Sequence, residues 1–219
     1  MVRAAQFLRG WFNEPPPPFE LRQPSARWST TRPRESLHRL RIAEVIQETP
    51  STKTFVLEAP EGGAPGFSYL AGQHLTIVID IDGRAERRCY SFSSSPAVTG
   101  LPSITVKRMP GGRVSRHLHE RLHAGDTIVA TEPAGAFTLQ VDPAASRHFV
   151  MIAGGVGITP LVSLVETVLR REPGSRITLL CGNRDALEII FRQRLDTLVA
   201  QFGNRLKLRH ALDEVPEGW

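Results

Sequence analysis

Residues 153–160 read Ala-Gly-Gly-Val-Gly-Ile-Thr-Pro. An apolar run, residues 149–153, lies directly before them, and residues 160–171 follow with Leu161, Leu164, Val165, Val168 and Leu169 at helical spacing. A strand, a glycine turn and a helix in that order suit a dinucleotide. Gly155 and Gly157 let the backbone approach a pyrophosphate, and the unpaired amides at the helix start bind it, with Thr159 placed to cap and Pro160 at the first helical position. The third glycine of a G-x-G-x-x-G fingerprint is Pro160 here, and such a turn also serves as a plain strand-to-helix connection.

A second group of candidates lies upstream. Arg88-Cys89-Tyr90-Ser91 reads as strand, and two-residue alternation puts Arg88 and Tyr90 on one face. A guanidinium fork beside an aromatic plate suits a phosphate and a flat ring, although an ordinary exposed arginine on a surface strand has the same pattern. Gly111, Gly112 and Ser115 lead into a helix beginning at Val114, whose first amides form another anion site. Two anion sites flanking one aromatic plate raise a flavin as ligand. Downstream, Gly182-Asn183-Arg184 follows the apolar run 177–181, where an acidic residue would accept the ribose 2′-hydroxyl of NAD. Arg184 suits the 2′-phosphate of NADP better, while Asp185 beside it could equally pair with it or cap the next helix.

His119-Glu120-Arg121-Leu122-His123 matches H-E-x-x-H, the spacing of a zinc hydrolase. Arg121 puts a cation inside the motif, and Ala124-Gly125-Asp126 ends the helix at once, so the sequence predicts a solvated helix face and no metal. Cys89 and Cys181 stand far apart and outside any C-x-x-C. An iron–sulfur cluster takes about four thiolates, so none is expected in this chain.

The elements that must position these groups follow two grammars. Strand signals recur at short spacing over residues 40–47, 54–57, 74–81, 87–92, 103–107 and 127–130, with Asp82-Gly83 as a two-residue hairpin turn. One helix, 114–123, interrupts them with Val114, Leu118 and Leu122 on one face. This predicts an antiparallel barrel or sandwich. From Arg147 strand and helix alternate: strand 149–153, helix 160–171, strand 177–181, a second helix with a continuous apolar face from Leu187 to Phe202, and strand 206–212. Alternation of that kind means parallel crossovers and a doubly wound sheet. The expected fold class is β + α/β: a basic, Pro-rich extension over residues 1–39, an antiparallel β-barrel over 40–143 and an incomplete α/β domain over 144–219.

The chain has 27 Lys+Arg against 22 Asp+Glu, but residues 1–41 hold eight Arg and three acids, and the rest holds nineteen of each sign. A body without excess cations argues against nucleic-acid binding. Ala4, Phe7, Leu8, Trp11 and Phe12 fall at amphipathic-helix spacing, so residues 1–12 could lie on an anionic membrane surface or a partner, or simply fray. Pro15 to Pro18 then form an extended spacer. No stretch approaches the roughly 18–20 apolar residues of a membrane span, and the N-terminus lacks a signal-peptide core. A cytoplasmic protein is expected, with peripheral membrane contact through residues 1–12 as an option.

The order of motifs is that of a known family: Arg88-x-Tyr90-Ser91, then Gly112-x-x-Ser115, then Pro133-Ala134-Gly135-Ala136-Phe137, then Gly154-Gly155-Val156-Gly157-Ile158-Thr159-Pro160. Over residues 40–212 the chain resembles the ferredoxin-NADP reductase-like family. It looks most like the reductase components that feed hydroxylases, epoxidases or desaturases, through Gly182-Asn183-Arg184 followed by Ile190-Phe191-Arg192. The resemblance implies FAD in the barrel, with Arg88 on its pyrophosphate, Tyr90 stacked on the isoalloxazine, Ser91 near flavin N5, and Gly112, Val114 and Ser115 at the pyrophosphate oxygens. It implies NADPH, or NADH, over Gly154 to Pro160, with Thr159 near the nicotinamide. Hydride would pass to the flavin and electrons would leave singly to an iron–sulfur protein or domain. Family members continue through further strands and a Cys-Gly-Pro turn, so the chain reads as truncated at Trp219. That keeps a non-catalytic flavin-binding remnant or interaction module as the alternative, and predicts an uncovered apolar face on strand 206–212.

Overall fold

Asp82 and Gly83 have φ of 55° and 75°, the left-handed pair that a two-residue type I′ hairpin needs. They join β3 (His74–Ile81) to β4 (Arg84–Ser91), paired without a slip from His74 opposite Ser91 to Ile81 opposite Arg84. The computed structural model describes residues 36–215; the amphipathic segment 1–12 and the proline spacer lie outside them. β1 (Leu37–Thr49), β2 (Thr52–Glu58), β5 (Ser103–Lys107) and β6 (Thr127–Thr131) complete a six-stranded antiparallel sheet in the order β4-β3-β6-β1-β2-β5. Its two edges meet just beyond β4, where Phe92 bridges Ile104 and the Ser93 amide donates to the Ser103 carbonyl at 2.8 Å. The expected barrel therefore closes. Alternate residues such as Ile42, Leu57, Ile77 and Val106 fill its interior, and α1 (Arg113–Arg121) adds Val114 and Leu118 to the same core. Burial is worth about 1.5–3 kcal/mol per large aliphatic side chain, so a one-residue register slip would forfeit several such contributions at once.

The second half is a parallel sheet in the order β7-β8-β9, from β7 (His148–Gly154), β8 (Arg176–Asn183) and β9 (Leu206–Leu212), linked by α2 (Ile158–Arg171) and α3 (Arg192–Phe202). Met151, Ala153, Ile177, Leu179 and Cys181 share one core with both helices. Among the described residues the helices thus cover one face of the sheet, the layout of the first half of a doubly wound domain. On the opposite face Val150 and Ile152 of β7 are 62% and 68% exposed. The uncovered apolar face expected on the third strand is therefore on the first, since β9 presents Lys207 and Arg209 there.

The continuous second helix expected from Leu187 is also corrected. Asp185 accepts from the amides of Leu187 and Glu188, which winds Ala186–Glu188 into a 3₁₀ turn and leaves Leu187 exposed. Phe191 then takes a left-handed conformation at φ 61°, and α3 begins at Arg192. The break seats Ile189, Ile190 and Phe191 in the interior, which a straight helix could not do together.

Polar contacts fix the two halves against each other. Ser163 Oγ donates to the Ser94 carbonyl at 2.6 Å, and the hydroxyls of Ser95 and Thr167 meet at 2.7 Å, all buried or nearly so. Glu188 accepts from Ser51 Oγ at 2.7 Å and from Lys107 Nζ at 2.8 Å. A Cβ on Gly72 would lie 1.9 Å from the Phe137 carbonyl oxygen, so the connecting segment crosses the barrel mouth at backbone contact distance. These bonds set the width of the space between β5 and the glycine turn.

Candidate functional site

That space is a cleft of about 550 Å³ whose walls come from both halves: β4, β5 and the start of α1 on one side, Val156, Gly157, Thr159 and Pro160 on the other. Its volume falls within the roughly 300–1,000 Å³ of ligand pockets. Arg88, Tyr90, Ser91, Gly112, Val114, Ser115, Gly157 and Thr159, chosen from sequence for three separate motifs, line this one cleft. Gly154 and Gly155 belong to the same turn without lining it, and Arg184 lines a neighbouring cleft.

The barrel wall is cationic. The Arg88 side chain is 54% exposed; its Nη1 donates to the Arg87 carbonyl at 2.7 Å and lies 3.4 Å from Glu86. Burial pushes the Tyr90 phenol up to about 12, against the opposing pull of the Arg88 cation, so the ring is neutral at physiological pH. At the start of α1, Gly112 has no side-chain cap, and the first-turn amides lack intrahelical acceptors. Ser115 Oγ instead accepts from the Met109 amide at 3.1 Å, which folds the loop back under the helix start. A Cβ on Gly112 would stand 2.5 Å from that oxygen. Glycine is needed there to keep the loop and the open amides together.

The facing wall is the uncharged glycine turn. β7 runs extended to Gly154, Gly155 turns at φ 49°, and residues Gly155–Gly157 make one 3₁₀ turn before α2. Added Cβ atoms on Gly154, Gly155 or Gly157 would meet nothing within 4 Å, so this backbone is open to a ligand. The cap assignment is corrected: Gly157 is the N-cap, the helix starts at Ile158, and Pro160 is its third residue. Proline is tolerated there because first-turn amides need no acceptor. Thr159, buried, donates its hydroxyl to the Val156 carbonyl at 3.0 Å and stiffens the turn.

Two family models match the chain. Residues 39–139 match an oxidoreductase FAD-binding domain and residues 151–219 an oxidoreductase NAD-binding domain. The chain belongs to the ferredoxin-NADP reductase-like family. Among its relatives in this family, a component of the 1,2-phenylacetyl-CoA epoxidase of Escherichia coli (strain K12) is 36% identical over 79% of this chain and 48% of its own length. The ferredoxin reductase component of 3-ketosteroid-9-alpha-monooxygenase from Rhodococcus rhodochrous is 34% identical over 80% and 49%. The chain thus spans about half the length of these curated relatives. Among solved structures, the FAD/NAD-binding domain of nitric oxide dioxygenase from Vibrio cholerae matches with TM-score 0.70 at 30% identity, covering 81% of this chain and 74% of that one. Phthalate dioxygenase reductase matches with TM-score 0.68 at 28% identity over 82% and 53%.

As a reductase-family barrel, the first half is an FAD-binding domain, and its residues fit that cofactor. The cleft offers open helix-start amides and cations for a pyrophosphate and a neutral aromatic ring for the isoalloxazine. The structure separates the two histidines of the H-E-x-x-H match. His119 is buried with Nε2 2.8 Å from the Val106 carbonyl, and burial lowers its pKa, so the expected solvated face is wrong at this residue. His123 lies beyond the last helical residue and is exposed. Among the described residues no three His, Cys, Asp or Glu side chains could share a metal ion, and no helix is long and apolar enough to cross a membrane. Sequence reasoning missed Thr105 and Lys107, which line the cleft from the outward face of β5. Their spacing of two residues marks a shared face, but only barrel closure brings that face beside β4.

Proposed function

We propose that this chain is the flavin- and nucleotide-binding part of an NADPH-dependent reductase that feeds electrons, through an iron–sulfur centre, to an oxygenase or desaturase. The observation that carries the reading is the single cleft in which the barrel cradle faces the glycine turn. FAD bound there would supply the conversion from hydride transfer at N5 to single-electron delivery. The chain's own groups supply position and electrostatics. Arg88 and the α1 amides at Val114 and Ser115 would hold the flavin pyrophosphate, Tyr90 would serve as a neutral plate for the ring, and Ser91 would lie near its reactive end. Gly154, Gly155 and Gly157 receive the nucleotide pyrophosphate, and Thr159 orients the nicotinamide. Arg184 favours NADPH, with NADH the weaker donor.

The iron–sulfur acceptor is supported by phthalate dioxygenase reductase, which is described as carrying electrons from pyridine nucleotides to [2Fe-2S], and by the ferredoxin reductase component named above. The test is anaerobic mixing of the FAD-reconstituted chain with NADPH or NADH, followed by a [2Fe-2S] ferredoxin. Loss of the oxidised flavin's visible absorption, faster with NADPH, and then reduction of the ferredoxin are expected. Tightly bound flavin that neither nucleotide reduces would overturn the reductase reading in favour of a flavin-binding interaction module.

A further inference from the structure

A second cleft, about 400 Å³, opens where the loop after β5 faces the end of β8. Lys107 and Met109 border it and the flavin cleft alike, so the two adjoin. Four cations line it: Lys107 at the end of β5 and Arg108 just after it, Arg116 on α1 and Arg184 after β8. Its one carboxylate, Glu188, is already engaged by Ser51 and Lys107. Three guanidinium groups remain. Arg108 and Arg116 are exposed, and neither side chain makes a hydrogen bond or ion pair among the described residues. Arg184 gives only Nε to Asp185, at 2.9 Å, which leaves its terminal nitrogens open.

Three like charges from two halves of the fold around one small cleft repel each other, and a dianion placed between them reverses the sign of that energy. A phosphomonoester carries about −1.5 to −2 near pH 7, a diester only about −1. The adenosine of FAD would bring no terminal phosphate, so it would leave the cluster unanswered. We propose that this cleft receives the 2′-phosphate of NADPH, with Arg108 and Arg116 of the barrel closing on it opposite Arg184. The inference rests on the NADPH reading and goes beyond it. Discrimination between the two nucleotides is shared by both halves of the molecule instead of lying in the α/β half alone.

The probes are adenosine 2′,5′-bisphosphate and 5′-AMP, titrated calorimetrically into the FAD-reconstituted chain at one fixed ionic strength, since exposed charges are screened. The parent chain should bind the bisphosphate at least about tenfold more tightly than 5′-AMP. Arg108→Ala and Arg116→Ala should each weaken the bisphosphate about five- to tenfold and leave 5′-AMP and FAD retention within about twofold. Equal binding of both probes by the parent would sink the NADPH reading and the proposal with it. A bisphosphate preference lost in Arg184→Ala but intact in Arg108→Ala and Arg116→Ala would overturn the proposal alone. Loss of FAD from the barrel variants would overturn it too, by assigning those arginines to the flavin.

Discussion

The starts of α1 and α2 are both helix ends that offer free amides to an anion, yet they are built in opposite ways. At α1 the cradle is filled and charged: Ser115 Oγ occupies the space a Gly112 side chain would need, and Arg88, Lys107 and Arg113 stand around it. At α2 the turn is bare, with room for a Cβ at Gly154, Gly155 and Gly157 and no cation in the turn itself. A preorganised, cationic cradle spends little on ordering and holds its anion tightly. A neutral backbone turn binds more weakly and lets go. The contrast is what a resident flavin and an exchanging nucleotide would require of one cleft.

The largest expected effect tests the charged side of this contrast. Arg88→Ala removes a charge-assisted pair of about 1.5–3 kcal/mol and should weaken FAD about ten- to a hundredfold. Quenching of flavin fluorescence on titration measures it. Undiminished FAD affinity would mean that the cradle does not hold the pyrophosphate through this residue.

The next effect concerns the frame and not the site. Glu172, fully buried, accepts from Arg147, from Ser175 Oγ at 2.6 Å and from the Asp142 amide at 3.1 Å, which ties the connecting segment to the end of α2. Burial alone would raise its pKa, but the bonds from Arg147, Ser175 and Asp142 outweigh it and hold the carboxyl below its usual value. A carboxyl depressed in the folded state adds stability that is fully present above the unfolded value, about 4.3, and is lost as pH falls through the folded one. Glu172→Gln should cost about 2 kcal/mol at pH 7 by urea denaturation. The gap from the parent should shrink as pH falls below about 4. A gap that stays constant with pH would show that the charge contributes nothing.

Smaller again is the effect of adding one methyl group to each cradle. Gly112→Ala must push Ser115 Oγ aside and should weaken FAD about fivefold, whereas Gly157→Ala should leave FAD within about twofold and act only on the nucleotide. If both act on FAD alike, the division into a filled and an open cradle fails.

How much of this was legible beforehand follows the range of the forces. Strands His74–Ile81 and Ser103–Lys107 were readable to the residue because alternation and the Asp82-Gly83 turn are local signals. The glycine turn was readable for the same reason. The start of α2 was missed by two residues because Gly157 adopts helical angles without any side-chain signature. His119 looked solvated because its partner, the Val106 carbonyl, lies on another element. Arg108 and Arg116 were invisible as candidates: nothing in their spacing to Arg184 shows that barrel closure and the contacts of Glu188 bring them to one cleft.

The last and smallest effect uses the two cysteines as reporters of the same division. Cys89 lies on β4 in the wall of the flavin cleft and is exposed, with Sγ 3.3 Å from Thr76 Oγ1. Cys181 sits on β8 beneath the helices, 4% exposed, and burial pushes its thiol up to about 11. Alkylation requires the thiolate and access, so Cys181 is protected twice over at pH 8. Iodoacetamide should therefore label one thiol per folded chain, identified by peptide mass as Cys89, and both in urea. Because Cys89 borders the cradle that keeps its ligand, FAD should slow its labelling severalfold, while NADPH added without FAD should not. Labelling at one rate with and without FAD would place the bound flavin away from β4. Protection by NADPH alone would show that the nucleotide reaches the barrel wall unaided, and the distinction between the two cradles would have to be redrawn.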